Sequence, residues 1–208
     1  MDLLRTLDDK VAPGRAAVVT VDVQNDFCHE QGFLDAARAH AVPVIHVISH
    51  HDEQYASPVV TEQKLRHGLP MEVDGRPLRD APYCLKGTWG AELYGIDARP
   101  GEEVVVKHRY SGFHNTSLDL LLRSRGIQTV VLTGVATNVC VESTGRDVYM
   151  HDYYLVFVSD GTATTSQAAH DATLANIDQF FGQVATADAI AAAWAATGAR
   201  PRAVAAGR

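Results

Sequence analysis

The chain has 208 residues, 46% of them hydrophobic, and a formal charge of −7 at pH 7; that is enough apolar material for one full core, so a single domain over 1–196 is expected. The acidic balance and the lack of any basic run exclude a nucleic-acid surface, which rests on clustered Lys and Arg. No stretch reaches the roughly 18 uninterrupted apolar residues of a membrane span, and the opening MDLLRTLDDK lacks the apolar centre of a secretory signal, so a cytoplasmic protein with no membrane partner is expected.

A first strand is predicted over Ala16–Val23, a short helix over Gly32–Ala41 and a second strand over Pro43–Ile48, from apolar and β-branched runs bounded by turn formers. The segment His50–Trp89 is rich in Pro, Gly and charge and reads as a long loop with local turns. Beyond it come a third strand over Val104–Lys107, a helix over Ser117–Ser124 ended near Gly126, and a fourth strand over Ile127–Thr133. A helix from Asn138 to about His151, a strand over Tyr154–Ser159, and helices over Ser166–Phe181 and Thr186–Ala196 follow. This βαβ alternation implies an α/β fold, a mostly parallel sheet with helices on both faces. Residues Thr197–Arg208, rich in Ala, Gly, Arg and Pro, read as a flexible C-terminal tail.

The strongest chemical signal is VVLTGVATNVCVEST, Val130–Thr144. An apolar run meets a glycine that permits a tight turn, Thr137 or Asn138 is placed to cap the following helix, and Cys140 falls in its first turn. Free N–H groups and partial positive charge there favour a thiolate and can hold an oxyanion. Two other strands end on an ionisable residue, Asp22 in VDVQNDF and Lys107 in VVVKHRYSGF. An open parallel sheet gathers its site at the carboxyl ends of its strands, so these three groups are expected to converge. Asp22 then accepts the thiol proton, Lys107 lowers the pKa of both neighbours, and the N–H groups of Ala136 and Cys140 form an oxyanion hole. Gln24 is read as orienting Asp22. Cys28, Cys84 and Cys140 are widely spaced and form no CxxC pair, so neither a disulfide framework nor a zinc knuckle is supported.

VDVQNDF, KHRYSGFHNT and TGVATNVCVEST together resemble the isochorismatase-like cysteine hydrolases, a likeness that runs from about Ala16 to Ala193. The resemblance implies a three-layer α/β/α sandwich, an Asp-Lys-Cys triad on Asp22, Lys107 and Cys140, a cis peptide at Val135–Ala136, and a homo-oligomer. RYSGFHNTSLDLLLRSRGI and TNVCVEST are similar to the branch that hydrolyses ureidoacrylate and biuret. Ser49 and His51 depart from that branch, which has Asn and Trp there, and only about twenty residues separate Val23 from Val44, where relatives have a longer crossover.

These readings give a metal-independent cysteine amidohydrolase, without cofactor, that cleaves a C–N bond of a small ureido or carbamoyl amide through a covalent Cys intermediate. The rivals are hydrolysis of another small carboxamide, nicotinamide-like or maleamate-like, and a silent binding module of the same fold. No metal site is expected, because His50 and His51 are adjacent and point to opposite faces of an extended chain. Asn25, Phe27, Trp89, Tyr110 and His114 are the expected substrate contacts, with Asp52 and Glu53 as acceptors for urea N–H groups.

Overall fold

The computed structural model describes residues 3–24, 33–68 and 83–196, with the short strand pair at 72–73 and 76–77. The chain starts with α1 (Leu7–Val11), then β1 (Ala16–Val21), α2 (Phe33–Ala39), β2 (Val44–Ser49) and α3 (Pro58–Arg66). A separate antiparallel pair, β3 (Glu72–Val73) and β4 (Arg76–Pro77), precedes β5 (Glu103–Lys107) and α4 (Leu118–Ser124). The remainder alternates regularly: β6 (Thr129–Val135), α5 (Glu142–Met150), β7 (Tyr154–Ala163), α6 (Gln167–Phe180), β8 (Gln183–Ala185) and α7 (Ala187–Ala196).

Six strands form one sheet in the order β5-β2-β1-β6-β7-β8, and every pairing in it is parallel. β1 and β2 are buried along their whole length, as expected of strands covered on both faces. Alternate side chains sort into two cores. Val19, Val21, Ile45, Val130, Leu132 and Phe157 pack with Leu118, Leu122, Val148 and Ile177 of α4, α5 and α6. Val18, Val44, Val131 and Val156 pack with Val11, Leu34, Ala37, Ile190 and Trp194 of α1, α2 and α7. The result is the expected α/β/α sandwich, with α4, α5 and α6 on one face and α1, α2 and α7 on the other. The Trp194 indole closes the second layer by donating to the Val11 carbonyl at 2.8 Å.

Several elements differ from the sequence reading. β1 stops at Val21 because Asp22 takes a φ of 53°, a left-handed conformation that aspartate tolerates and a strand does not. The segment read as a long loop contains α3, whose start has Ser57 as N-cap accepting from the Val60 N–H and Pro58 in the first turn, a recognisable start signal. α1 was hidden by its length, five residues behind a Thr6–Asp9 capping box. β8 has only three residues, too few to show a period in the sequence,. The predicted helix from Asn138 opens as a π-helical turn over Thr137–Val141, and the α-helix proper begins at Glu142. The side chains expected to cap it bond elsewhere: Thr137 Oγ1 pairs with the His170 ring at 3.0 Å, and Asn138 Oδ1 accepts from Thr164 at 2.7 Å. The peptide between Val135 and Ala136 is cis. The tail expected over 197–208 lies outside the described residues.

β1 and β6 are central neighbours, with Val21 in register with Gly134. The chain winds outward from β1 through β2 to β5, then returns beside β1 as β6, so the gap between β1 and β6 is the switch point at which open α/β sheets bind ligands. Gly134 has a φ of 127°, and a Cβ there would lie 2.0 Å from the Val21 carbonyl oxygen. Gly134→Ala is therefore expected to destabilise the protein by at least about 2 kcal/mol, measured as a lower urea midpoint at unchanged slope.

Candidate active site

Three strand ends contribute one ionisable group each. Asp22 follows β1 and its N–H donates to the Val47 carbonyl of β2 at 2.8 Å, which carries the β1–β2 pairing one residue past the strand. Lys107 is the last residue of β5, in register with Ser49 of β2. Cys140 lies in the π-helical turn after β6. β5 is two strands from β1, roughly 9–10 Å at ordinary strand spacing, so only a long side chain reaches across. Lys107 does so. Its ammonium donates to Asp22 Oδ2 at 2.9 Å, to Ser49 Oγ at 2.6 Å and to Cys140 Sγ at 3.4 Å. Asp22 and Lys107 are each 1% exposed.

This arrangement fixes the charge states. Burial works to lower the Lys107 pKa, but the Asp22 charge, joined by Cys140 and the hydrogen bonds, outweighs it and holds the ammonium above its ordinary value,. Cys140 goes the other way. Burial first, then the Asp22 carboxylate, push its thiol up to about 12, against the lowering effect of Lys107. Burial and the adjacent carboxylate thus oppose the thiolate expected from a helix N-terminus, and favour a sulfur that rests with its proton. The physical reason is that a dry site with one anion already present resists a second.

The residues that hold this centre were only partly visible in the sequence. Ser49, noted as a departure from the ureidoacrylate branch, supplies the hydroxyl that takes one Lys107 N–H. Gln24 turns its side chain to β2, while its backbone N–H donates to the Asp22 carbonyl at 2.8 Å. Its amide N–H donates to the carbonyls of Ser49 (2.9 Å) and Ala91 (2.7 Å), and its Oε1 accepts from the Ser49 N–H (2.8 Å). A buried side chain thereby continues the sheet ladder past β1 and fixes Ser49 under Lys107. Around Cys140, Thr144 Oγ1 donates to the Cys140 carbonyl at 2.7 Å and accepts from the Gly112 N–H at 2.9 Å. Glu142 accepts from Arg146, Thr173 and Asn176, pinning the start of α5 to α6.

The remaining predicted residues fall as follows. Ala136 directly precedes the turn that carries Cys140. Tyr110, three residues past Lys107, is 46% exposed and lies against the ammonium of Lys64. Trp89 opens a short 3₁₀ turn, Trp89–Ala91, and is largely exposed. His114 is exposed beside the Asn115 amide. Asn25 and Phe27 lie outside the described residues. Asp52 is spent elsewhere, since it caps the turn at Glu53–Tyr55 by accepting from the Gln54 N–H and pairs with Lys86 at 3.2 Å. The His51 ring stands edge-on to Tyr83 at 4.9 Å, and the His50 pKa is lowered, by burial first and by His108 next. Among the described residues no group of three or more His, Cys, Asp or Glu side chains is placed to hold a metal ion, and no helix is long and apolar enough to cross a membrane.

Residues 16–189 match the family model described as the isochorismatase domain. The chain belongs to the isochorismatase family. It is 36% identical over 204 residues to a protein named ureidoacrylate amidohydrolase from Pseudomonas syringae pv. syringae, covering 86% of this chain and 83% of that one. Among solved structures, a cysteine hydrolase from Pseudomonas syringae pv. phaseolicola superposes with a TM-score of 0.75 at 27% identity, over 95% of this chain and 99% of that one. An N-carbamoylsarcosine amidase from Thermoplasma acidophilum gives 0.65 at 26% identity, over 84% and 97%.

The charge states lead to a direct test. Asp22→Asn removes the anion that raises the thiol pKa while leaving the Lys107 ammonium, so the thiol must become more acidic. The rate of Cys140 alkylation by iodoacetamide should rise only above the ordinary thiol range in the wild type, and at clearly lower pH in the variant. An unshifted profile would contradict the assigned charges.

Proposed function

We propose that this protein is a metal-independent cysteine amidohydrolase acting on a small ureido or carbamoyl amide, with Cys140 as nucleophile, Asp22 as proton acceptor and Lys107 as electrostatic partner. The chain is an enzyme of the hydrolase class that acts on C–N bonds. The observation that carries the finer reading is one buried ammonium in contact with both a carboxylate and a thiol, at 2.9 and 3.4 Å.

The reaction follows from the resting charges. As the amide carbonyl settles over the sulfur, Asp22 takes the thiol proton and the C–S bond forms; the carbonyl π electrons move to oxygen, where the N–H groups of Ala136 and Cys140 receive them. Lys107 keeps its proton and balances the negative charge as it moves from Asp22 to the substrate. Collapse of the tetrahedral adduct breaks the C–N bond, and the proton on Asp22 leaves with the amine or ammonia. Water then attacks the thioester or thiocarbamate, Asp22 accepts a proton from it, and the proton returns to the departing sulfur. The raised thiol pKa has a use here. It stores the nucleophile as an unreactive thiol until a carbonyl is present to take the charge.

The ureide assignment draws on the curated relatives named ureidoacrylate amidohydrolase and on the neighbour named N-carbamoylsarcosine amidase. The same reading has the protein cytoplasmic and assembled with copies of itself; exposed Tyr149, Met150 and Phe180 offer apolar surface for that contact.

Cys140→Ser is expected to abolish ammonia release from ureidoacrylate and biuret, and Asp22→Asn and Lys107→Ala each to lower turnover by at least ~10², with a chelator leaving the wild-type rate unchanged. Full activity in any of the three variants removes that residue from the mechanism. Faster hydrolysis of nicotinamide than of either ureide would move the substrate to the simple carboxamides.

A further inference from the structure

Helix α3 buries a lysine more fully than any of its apolar residues, with Val60 only half-buried. Its buried side chain is Lys64, 6% exposed, whereas Val59 and Leu65 stand 77% and 56% exposed. A helix laid on a domain for stability alone does the reverse. The Lys64 ammonium donates to the Tyr83 hydroxyl at 2.5 Å and lies 5.1 Å from the centre of the Tyr83 ring and 5.7 Å from that of Tyr110. Among the described residues no carboxylate pairs with it: Glu62, on the same helix, is drawn to Arg66, and Asp52 to Lys86. Burying a cation without a counter-charge is costly, and two ring faces with one phenol offset only part of that cost.

Its position relates it to the centre already described. Tyr110 lies three residues past Lys107. Tyr83 receives the edge of the His51 ring, and the His51 N–H donates to the Cys84 carbonyl at 2.9 Å, two residues past Ser49. Lys64 is thus linked, through Tyr83 and Tyr110, to the segments that leave the carboxyl ends of β2 and β5, the strands on which Ser49 meets Lys107. The two buried lysines differ in one respect. Among the described residues, Lys107 has its anion in Asp22 and Lys64 has none.

We propose that Lys64 is a specificity residue of this site, an anchor for an anionic group on the substrate, so that the enzyme takes small ureido or amido acids carrying a carboxylate in preference to neutral amides. The Tyr83 hydroxyl joins Lys64 in holding the carboxylate, and the Tyr110 ring flanks it. This rests on the reading of the Cys140 centre as the amide-hydrolysing site, but the two can fail separately.

The test is calorimetric binding to the full chain carrying Cys140→Ser, with 3-ureidopropionate and its methyl ester as probes differing by one negative charge. The acid should bind about ten- to a hundredfold more tightly than the ester, the size of a charge-assisted hydrogen bond. Adding Lys64→Met should abolish that preference without lowering the thermal midpoint, since it removes an unbalanced buried charge; Lys64→Arg should retain part of it. Equal affinity for acid and ester, binding of neither, or a preference that survives Lys64→Met would each overturn the proposal. If Lys64→Met does not fold, the acid-to-ester ratio in the Lys64-bearing chain decides. A binding preference with no turnover of the acid by the wild type would leave the anchor standing and refute the hydrolase reading; turnover of acid and ester at equal efficiency, with equal binding, would do the opposite.

Discussion

A buried ammonium needs an anion within reach, and the pair between Lys107 and Asp22 is the contact around which the centre of this fold is arranged. Breaking one partner of such a pair costs about 3–5 kcal/mol, because the survivor is left as an uncompensated buried charge. Meeting that demand requires β5 to sit two strands from β1 with Ser49 between them, β1 to end in a left-handed residue, and the chain to continue as Gln24 rather than drift away. The close approach of Gly134 to Val21 belongs to the same requirement, since it brings the turn carrying Cys140 against the end of β1.

The thiol is governed by its burial and by the Asp22 carboxylate more than by its helix. A helix N-terminus offers partial positive charge worth only a fraction of a full one, whereas burial beside an intact carboxylate acts at full strength. Cys140 therefore rests protonated, and among the described residues the base beside it is Asp22. Such a site is quiet towards adventitious electrophiles and becomes nucleophilic only as charge is relayed to a bound carbonyl. Lys64 presents the complementary situation on the same sheet edge, a buried cation whose anion is proposed to arrive with the substrate.

The sheet, its helices and the convergence of Asp22, Lys107 and Cys140 were legible in the sequence, because strands covered on both faces read as continuous apolar runs and each of the three residues ends or follows one of them. What escaped the reading has physical reasons. α1 and β8 are too short for a period to emerge, and α3 carries its lysine inward and Val59 and Leu65 outward, so no apolar stripe marks it. Ser57-Pro58 was the available signal for that helix. Ser49 and Gln24 could not be ranked from sequence, since their importance lies in contacts across strands far apart in the chain. The resting state of the thiol depended on desolvation, which no local motif reports.

The covalent step is the most exposed part of this account, and rapid-quench mass spectrometry under turnover of a slowly released carbamoyl substrate addresses it directly. The account predicts a carbamoyl or acyl group on the peptide that contains Cys140, appearing before the first turnover is complete and decaying at the steady-state rate. Turnover at full rate with Cys140 unmodified at every quench time, or a label carried by Cys84 instead, would contradict it.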